Sequence, residues 1–101
     1  MKLGPLPLES TLESHLLKAV LRLGGITIKL PALWYIGIPD RLLLLPGARV
    51  YFLELKREGK HPTDIQQWWI ERLQALGFDA QFVSGRAALD KYIAALDCLS
   101  L

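Results

Sequence analysis

Cysteine is almost absent: Cys98 is the single one in 101 residues. That excludes an internal disulfide and any cysteine-rich zinc site. Cys98 is expected to be a small packing residue near the C-terminus. The two histidines, His15 and His61, lack metal-ligand spacing to one another. No apolar run approaches the roughly 18 to 20 residues that cross a bilayer. Met1-Lys2-Leu3-Gly4-Pro5 places a proline early and opens no sustained apolar segment, which argues against a secretory signal. The expectation is an intracellular, cytoplasmic chain with no membrane partner. Charge of one sign is barely in excess: a net +2 permits nucleic-acid binding without demanding it. No internal repeat and no low-complexity tract is present.

What the chain does have is a 51% apolar composition, which argues against disorder. Its length suits one small domain, 1–101, with a limited core. Pro5 and Pro7 mark residues 1–8 as an extended arm. Ser10 or Thr11 can cap a first helix, Ser10 with Glu13 matching a capping box, and Leu12, Leu16, Ala19, Val20 and Leu23 recur at helical spacing. Gly24-Gly25 stops that helix. Glu13 then sits in the first turn, near the positive end of the helix dipole. Its plain reading is a capping carboxylate.

Ile26-Thr27-Ile28-Lys29-Leu30 alternates and is β-branched, so it predicts a strand, with Lys29 on its polar or site-facing side. Pro31-Ala32-Leu33-Trp34-Tyr35-Ile36-Gly37 predicts a loop. Its Trp34 and Tyr35 either pack beneath it or offer a surface to bases or a partner chain, and packing is the better expectation. Residues 38–45 and 50–56 predict a hairpin across Pro46-Gly47-Ala48-Arg49. The run Leu42-Leu43-Leu44-Leu45 implies a strand covered on both faces, or a subunit contact. After Gly59-Lys60-His61-Pro62, a helix capped by Thr63 is expected to run to about 76. Ile65, Trp69, Ile70, Leu73 and Leu76 form its apolar stripe. Residues 78–83 predict a fourth strand. Residues 86–96 predict a last helix, with Ala87, Leu89, Ile93 and Leu96 inward. The order is α-β-β-β-α-β-α. The last strand follows a helix and is expected to pair parallel to the third, giving an α/β fold: a mixed central sheet flanked by helices.

The hairpin carries the chemistry. Residues i and i+2 of a strand share a face, so Glu54 and Lys56 point one way and Leu55 into the core. Pairing across the turn brings Asp40 close to Glu54. Two carboxylates and an ammonium then meet at one end of a sheet. Phosphodiester hydrolysis must neutralise charge at phosphorus and ionise a water. Mg2+ or Mn2+ does both, held by one or two carboxylates plus water and phosphate. Asp40, Glu54 and the carbonyl of Leu55 supply oxygens. Lys56 would orient or activate water, or neutralise phosphate, and would offset the repulsion between the carboxylates. Glu13 could bind a second ion, and Gln66 could position Lys56, the water or the phosphate. Glu-Leu-Lys alone is common on strand edges, and Pro-Asp alone is a common turn. Together, with Glu13 before and Gln66 after, they are far more specific.

The succession Glu13, Gly24-Gly25, Lys29, Gly37-Ile38-Pro39-Asp40-Arg41, Phe52-Leu53-Glu54-Leu55-Lys56, Gly59-Lys60 and Gln66 resembles the VRR-NUC family. These are virus-type replication-repair nucleases of the PD-(D/E)XK superfamily. The similarity runs from about 13 to about 84, with no departure at the metal-binding positions. It implies a restriction-endonuclease-like fold and a metal-dependent, structure-directed DNA nuclease with no organic cofactor. Asp40, Glu54 and Lys56 would be its core catalytic set, accompanied by Glu13 and Gln66. Stand-alone members of this size resemble viral or bacterial homodimers that cut branched DNA such as Holliday junctions. Larger relatives act on flaps. This length leaves room for one such domain, so the dimeric junction cutter in DNA repair is the expected type, in the host cytoplasm if viral. A catalytically inactive DNA-binding or assembly module, or a cutter of flaps or plain duplex, stays open beside it.

A two-fold axis would supply the two cuts that a junction needs. Residues 42–45, Trp68-Trp69 and the Leu-rich C-terminus are more apolar surface than so small a domain hides easily. Of the tryptophan pair, one is expected to face the core and the other a subunit or loop. Lys29, Arg41, Arg57, Lys60, His61 and Arg86 are candidate phosphate contacts, which position DNA without reading its sequence. For each, the plain alternative is a solvated charge. His15 is expected to be only a polar helix residue.

Overall fold

Leu12, Leu16, Ala19 and Val20 fall on one stripe of α1 (Glu9–Arg22), and all four are buried. The helix stops where the sequence requires it. Gly24 adopts φ +86°, its N–H donates to Leu21 O at 3.0 Å, and the Gly25 N–H donates to Val20 O at 2.9 Å. This is the Schellman pattern, which satisfies carbonyls that the helix end would otherwise orphan. The computed structural model describes residues 9–31 and 33–99. The arm expected at 1–8 lies outside them, as does Ala32.

The remaining elements are β1 (Ile26–Lys29), β2 (Arg41–Leu45), β3 (Arg49–Lys56), α2 (Asp64–Ala75), β4 (Asp79–Ser84) and α3 (Arg86–Cys98). This is the expected order. The four strands form one sheet in the order β1-β2-β3-β4. The first three pair antiparallel, and β4 pairs parallel to β3, with Lys56 opposite Ser84. The parallel pair requires a crossover, and α2 supplies it. Strand alternation splits the sheet into two faces. Leu43, Leu45, Tyr51, Leu53, Leu55 and Val83 pack with α1 and α3 in the main core. Phe52, Phe82 and Ala80 meet Ile70 and Leu73 of α2 in a smaller cluster on the other face.

Several local expectations need correction. Ser10 is already helical, so no Ser10–Glu13 capping box forms, and Glu13 lies beyond the first turn. Its carboxylate turns sideways to the sheet, where cations await it. The second strand begins at Arg41 and not at 38, because Gly37 takes φ +90° and Pro39 has no N–H to give a ladder. The leucines of β2 are fully buried only at Leu43 and Leu45; Leu42 and Leu44 are half-buried. On α2, Ile65 and Leu76 are exposed and Trp69 is half-buried, because the small second cluster covers only the middle of the helix. On α3, Ala87 is exposed and Tyr92 takes the inward place beside Leu89, Ile93 and Leu96. Cys98 is exposed and is not the packing residue expected. The loop aromatics are not packed beneath their loop: Trp34 is 87% exposed, and Leu33, Tyr35 and Ile36 are also exposed. No helix of the described residues is long and apolar enough to cross a membrane.

Candidate active site

The register of β2 and β3 builds the site. Arg41 lies opposite Leu53, so Asp40, one residue earlier, falls opposite Glu54. The Asp40 backbone N–H donates to the Glu54 carboxylate (Oε1) at 3.2 Å. Lys56, two residues on and on the same face, sets its Nζ 3.1 Å from the other oxygen, Oε2. Glu54 is only 4% exposed and is the one buried charged residue among those described. A buried carboxylate is tolerable only when hydrogen-bonded and paired, and both of its oxygens are.

Gly37 permits this approach. A Cβ there would come within 2.9 Å of the Ile65 side chain, at a φ that L-residues rarely adopt. The turn thus presses against the first turn of α2, Pro39 is buried, and Asp40 is delivered to the sheet end. The Leu30 N–H donates to Asp40 O at 2.7 Å and closes the loop at its base.

Electrostatics follow from this packing. Burial raises the pKa of Asp40, and the Glu13 carboxylate adds to it, against the lowering fields of Lys29, Lys56 and Arg41. Burial also raises Glu54, with the Asp40 charge second, while Lys56 opposes the rise. For Lys56, burial alone would lower the pKa. The hydrogen bond and charge of Glu54, with Glu9 and Asp40, outweigh it, so the ammonium is held above its ordinary value. Two carboxylates that resist ionising together, beside a lysine that keeps its proton, form a site with a shortage of positive charge.

Glu13, by contrast, does not join the pair. Its Oε1 accepts from Arg41 Nη2 at 3.0 Å and Nε at 3.3 Å, and Lys29 Nζ lies 3.6 Å away. Arg41 also reaches Thr27 Oγ1 at 3.5 Å. Arg41 and Lys29, expected at phosphates, are thus engaged by Glu13 on the α1 face of the sheet. Among the described residues no group of three or more His, Cys, Asp or Glu converges. The donor set is therefore two carboxylates, with the Leu55 carbonyl between Glu54 and Lys56 on the strand. Such hard oxygen ligands suit Mg2+ or Mn2+, which keep several waters.

Glu9 was not singled out from the sequence, yet it lies 3.6 Å from Lys56 Nζ. The signal was there: Glu9 precedes Glu13 by one helical turn and shares its side of the helix. Glu9 and Lys56 line a cleft of about 350 Å³ with Lys60, His61, Thr63 and Gln66. Gln66 closes a capping box: its Oε1 accepts from the Thr63 N–H at 2.9 Å, and its own N–H donates to Thr63 Oγ1 at 3.3 Å. Any part it takes in the cleft falls to its amide N–H groups. Arg57 is exposed, and its carbonyl accepts from Ser84 Oγ at 2.9 Å. Arg86 is spent on Asp90 at 3.1 Å, and His15 reaches that same carboxylate at 2.9 Å, tying α1 to α3.

Comparison with known proteins finds relatives in sequence and in fold. Over 69 residues the chain is 41% identical to "Putative nuclease p44" of Acyrthosiphon pisum secondary endosymbiont phage 1, a match spanning 68% of this chain and 74% of that protein. A solved structure described as a VRR_NUC domain superposes with a TM-score of 0.77 at 31% identity, covering 85% of this chain and 94% of the other. A second, described as a VRR_NUC domain protein, gives a TM-score of 0.70 over 92% of this chain and 88% of its own. At 18% identity that likeness is one of fold. No family model matches the chain.

Proposed function

The chain belongs to the VRR_NUC family, a nuclease type, and from that premise we propose that it is a metal-dependent, structure-directed DNA endonuclease that cuts branched DNA, Holliday junctions in particular, as a homodimer. The observation that carries the reading is the meeting of Asp40, Glu54 and Lys56 at one end of the sheet, with Glu54 buried between the other two.

Asp40, Glu54 and the Leu55 carbonyl would hold Mg2+ or Mn2+, which supplies positive charge against the phosphate and makes a bound water acidic. The residues fit such an ion because their charge is unbalanced: burial raises both carboxylates, with Glu13 adding to the rise at Asp40 and Asp40 to that at Glu54, and a bound cation would offset that cost. Lys56 keeps its proton. In that state it would donate to a phosphate oxygen or orient the attacking water. Glu9 shares Lys56 with Glu54, so the ammonium stays oriented when Glu54 turns to other partners. Glu13 keeps Arg41 and Lys29 fixed against the sheet end and adds negative potential at Asp40. Gln66, Lys60 and His61 line the cleft beside Lys56 and would meet the backbone flanking the scissile phosphate, with Arg57 close by in sequence. Phosphate contacts of this kind position the strand without reading bases.

The junction reading calls for a two-fold homodimer, since opposed strands need opposed sites. Exposed Ile26 and Ile28 on the edge strand β1, and Trp68 on α2, are apolar surface that a second copy could cover.

The test uses labelled four-way junction, flap and plain duplex, each with Mg2+ or Mn2+, and the Asp40→Ala and Lys56→Ala variants beside the wild type. Cutting by the wild type alone, strongest on the junction, is the expected result. Equal cutting by all three proteins would end the catalytic assignment. Binding without cutting by any of them would mark a DNA-binding module of the same fold. Calcium should support binding with little cleavage, because its looser coordination suits ligation better than water activation.

A further inference from the structure

Trp34 is 87% exposed, the most exposed of the large hydrophobic residues described, yet its loop is firmly held. The ring of its neighbour Tyr35 meets the Trp69 ring edge-on, with centroids 5.9 Å apart. Ile36 O accepts from Trp69 Nε1 at 2.9 Å, and Tyr35 O accepts from the Ile38 N–H at 3.1 Å. The Leu30–Asp40 hydrogen bond shuts the base. The fold therefore fixes this loop while displaying one indole to solvent. An indole left in water forgoes burial that would stabilise the fold by a large margin, so a fastened, displayed one calls for a partner.

Position identifies the partner. Lys29 lies opposite Arg41, so the loop leaves the sheet at the end where Asp40 and Glu54 meet. Trp34 stands only six positions before Asp40, a reach of at most about 20 Å at full extension. Lys29, paired with Glu13 at 3.6 Å but 61% exposed, stands at the foot of the loop, and Lys60 lines the cleft beside Lys56. A displayed ring on a loop that leaves the sheet at an end bearing ammonium groups has the composition that grips unpaired strands: a base stacks on the ring while ammonium groups follow the phosphates. A second copy of the chain fits the tip less well. A stable dimer buries about 800 Å² on each partner, more than a four-residue tip provides.

We propose that Trp34 stacks on an unpaired nucleobase next to the phosphate held at Asp40, Glu54 and Lys56, and so selects branched or frayed DNA over continuous duplex. The proposal rests on the nuclease reading in one respect, that nucleic acid occupies this site, and it deepens that reading by naming what recognises the branch.

The experiment places 2-aminopurine at an unpaired position of a flap or junction, with calcium in place of magnesium to prevent cutting. Wild-type protein quenches the aminopurine by stacking. Trp34→Ala loses the quench and binds the unpaired probe about tenfold more weakly, while its affinity for fully paired duplex is unchanged. Trp34→Phe recovers most of both. Unaltered quenching and affinity in Trp34→Ala would overturn the proposal. So would a shift from dimer to monomer in sedimentation with the quench intact, which would make the loop a seat for a second copy. Cutting in magnesium that is lost in Asp40→Ala tests the nuclease reading separately. Wild type and Trp34→Ala that cut alike and quench alike would sink the stacking role and spare the nuclease.

Discussion

The Asp40 backbone N–H donates to the buried Glu54 carboxylate, whose other oxygen takes Lys56, so the one buried charge among the described residues is held by a group from the loop before β2 and by a side chain of its own strand β3. The Asp40 side chain cannot help in this, since it carries the same sign. Burial sets the two carboxylates against folding, with Glu13 adding to the cost at Asp40 and Asp40 to that at Glu54, and a site assembled this way trades stability for a binding task.

Asp40→Asn should therefore stabilise the metal-free protein. The folded-state pKa of Asp40 lies above its unfolded value. Its contribution to stability is thus fully present below the unfolded pKa and is lost as pH rises through the folded one. Asparagine keeps the backbone donor and removes the charge. Melting in EDTA at pH 7.5 should rise by about 4 °C, equivalent to 1 kcal/mol or less in so small a domain, and the gap should close toward pH 4. Cutting should disappear in the same variant. A melting point lower at pH 7.5 than the wild type's would show that the two carboxylates are not in conflict.

Lys56 gives the opposite sign. Lys56→Met leaves Glu54 buried beside Asp40 with no cation at 3.1 Å. Removing one partner of a largely buried pair is expected to cost about 2 kcal/mol. The loss should shrink in acid, because Glu54, freed from the lowering effect of Lys56, protonates more readily. The double variant Lys56→Met with Glu54→Gln should recover most of that loss, and a double-mutant cycle by urea denaturation measures the coupling. Additive effects would mean that the pair is not coupled in the fold.

Much of this was legible in the sequence because strand geometry is nearly deterministic. Glu54 and Lys56 are two residues apart on an apolar strand, and a hairpin of matched arms can bring only a residue near 40 back to them. Charge partners obeyed no such rule. Glu13 and Arg41 are 28 residues apart, and nothing local says that one will claim the other. The capping boxes teach the same lesson. Ser10-x-x-Glu13 and Thr63-x-x-Gln66 carry the same motif, yet only the second closes. At Thr63 the preceding proline and loop leave the helix nowhere earlier to start, whereas Glu9 and Ser10 are helical before the first box could form. The exposure of Trp34 was also hidden, because an aromatic in a loop has the same composition whether it is tucked in or displayed.

The second box separates the structural work of Gln66 from its place in the cleft. Thr63→Ala should cost about 1 kcal/mol by removing the side-chain acceptor of the cap, a drop of about 4–8 °C in melting. Gln66→Glu keeps an oxygen that can reach back to the Thr63 N–H, so melting should move by less than about 2 °C. It also puts a new carboxylate into the cleft that Lys56 lines, where it competes with phosphate. Cutting and DNA affinity should fall together in Gln66→Glu with folding intact. A full loss of stability, or no change in DNA affinity, would leave Gln66 with the cap alone.

Tyr92 carries the last prediction. Its hydroxyl is buried with no hydrogen-bond partner, the one such side-chain atom among the described residues. A buried hydroxyl that has given up water for nothing costs about 1–3 kcal/mol. Tyr92→Phe should therefore stabilise the protein by about 1 kcal/mol, once the loss of small contacts is set against that gain. The alkaline limb sharpens the test. Burial, with the charges of Asp79 and Tyr51, raises the Tyr92 pKa far above its ordinary value. The folded state thus holds this proton where the unfolded chain releases it, and stability falls as pH climbs past the unfolded value near 10. Phenylalanine has no proton to lose, so the advantage of Tyr92→Phe should widen between pH 8 and pH 10.5 in thermal melts. An advantage that stays constant across that interval would mean that the hydroxyl reaches water in solution.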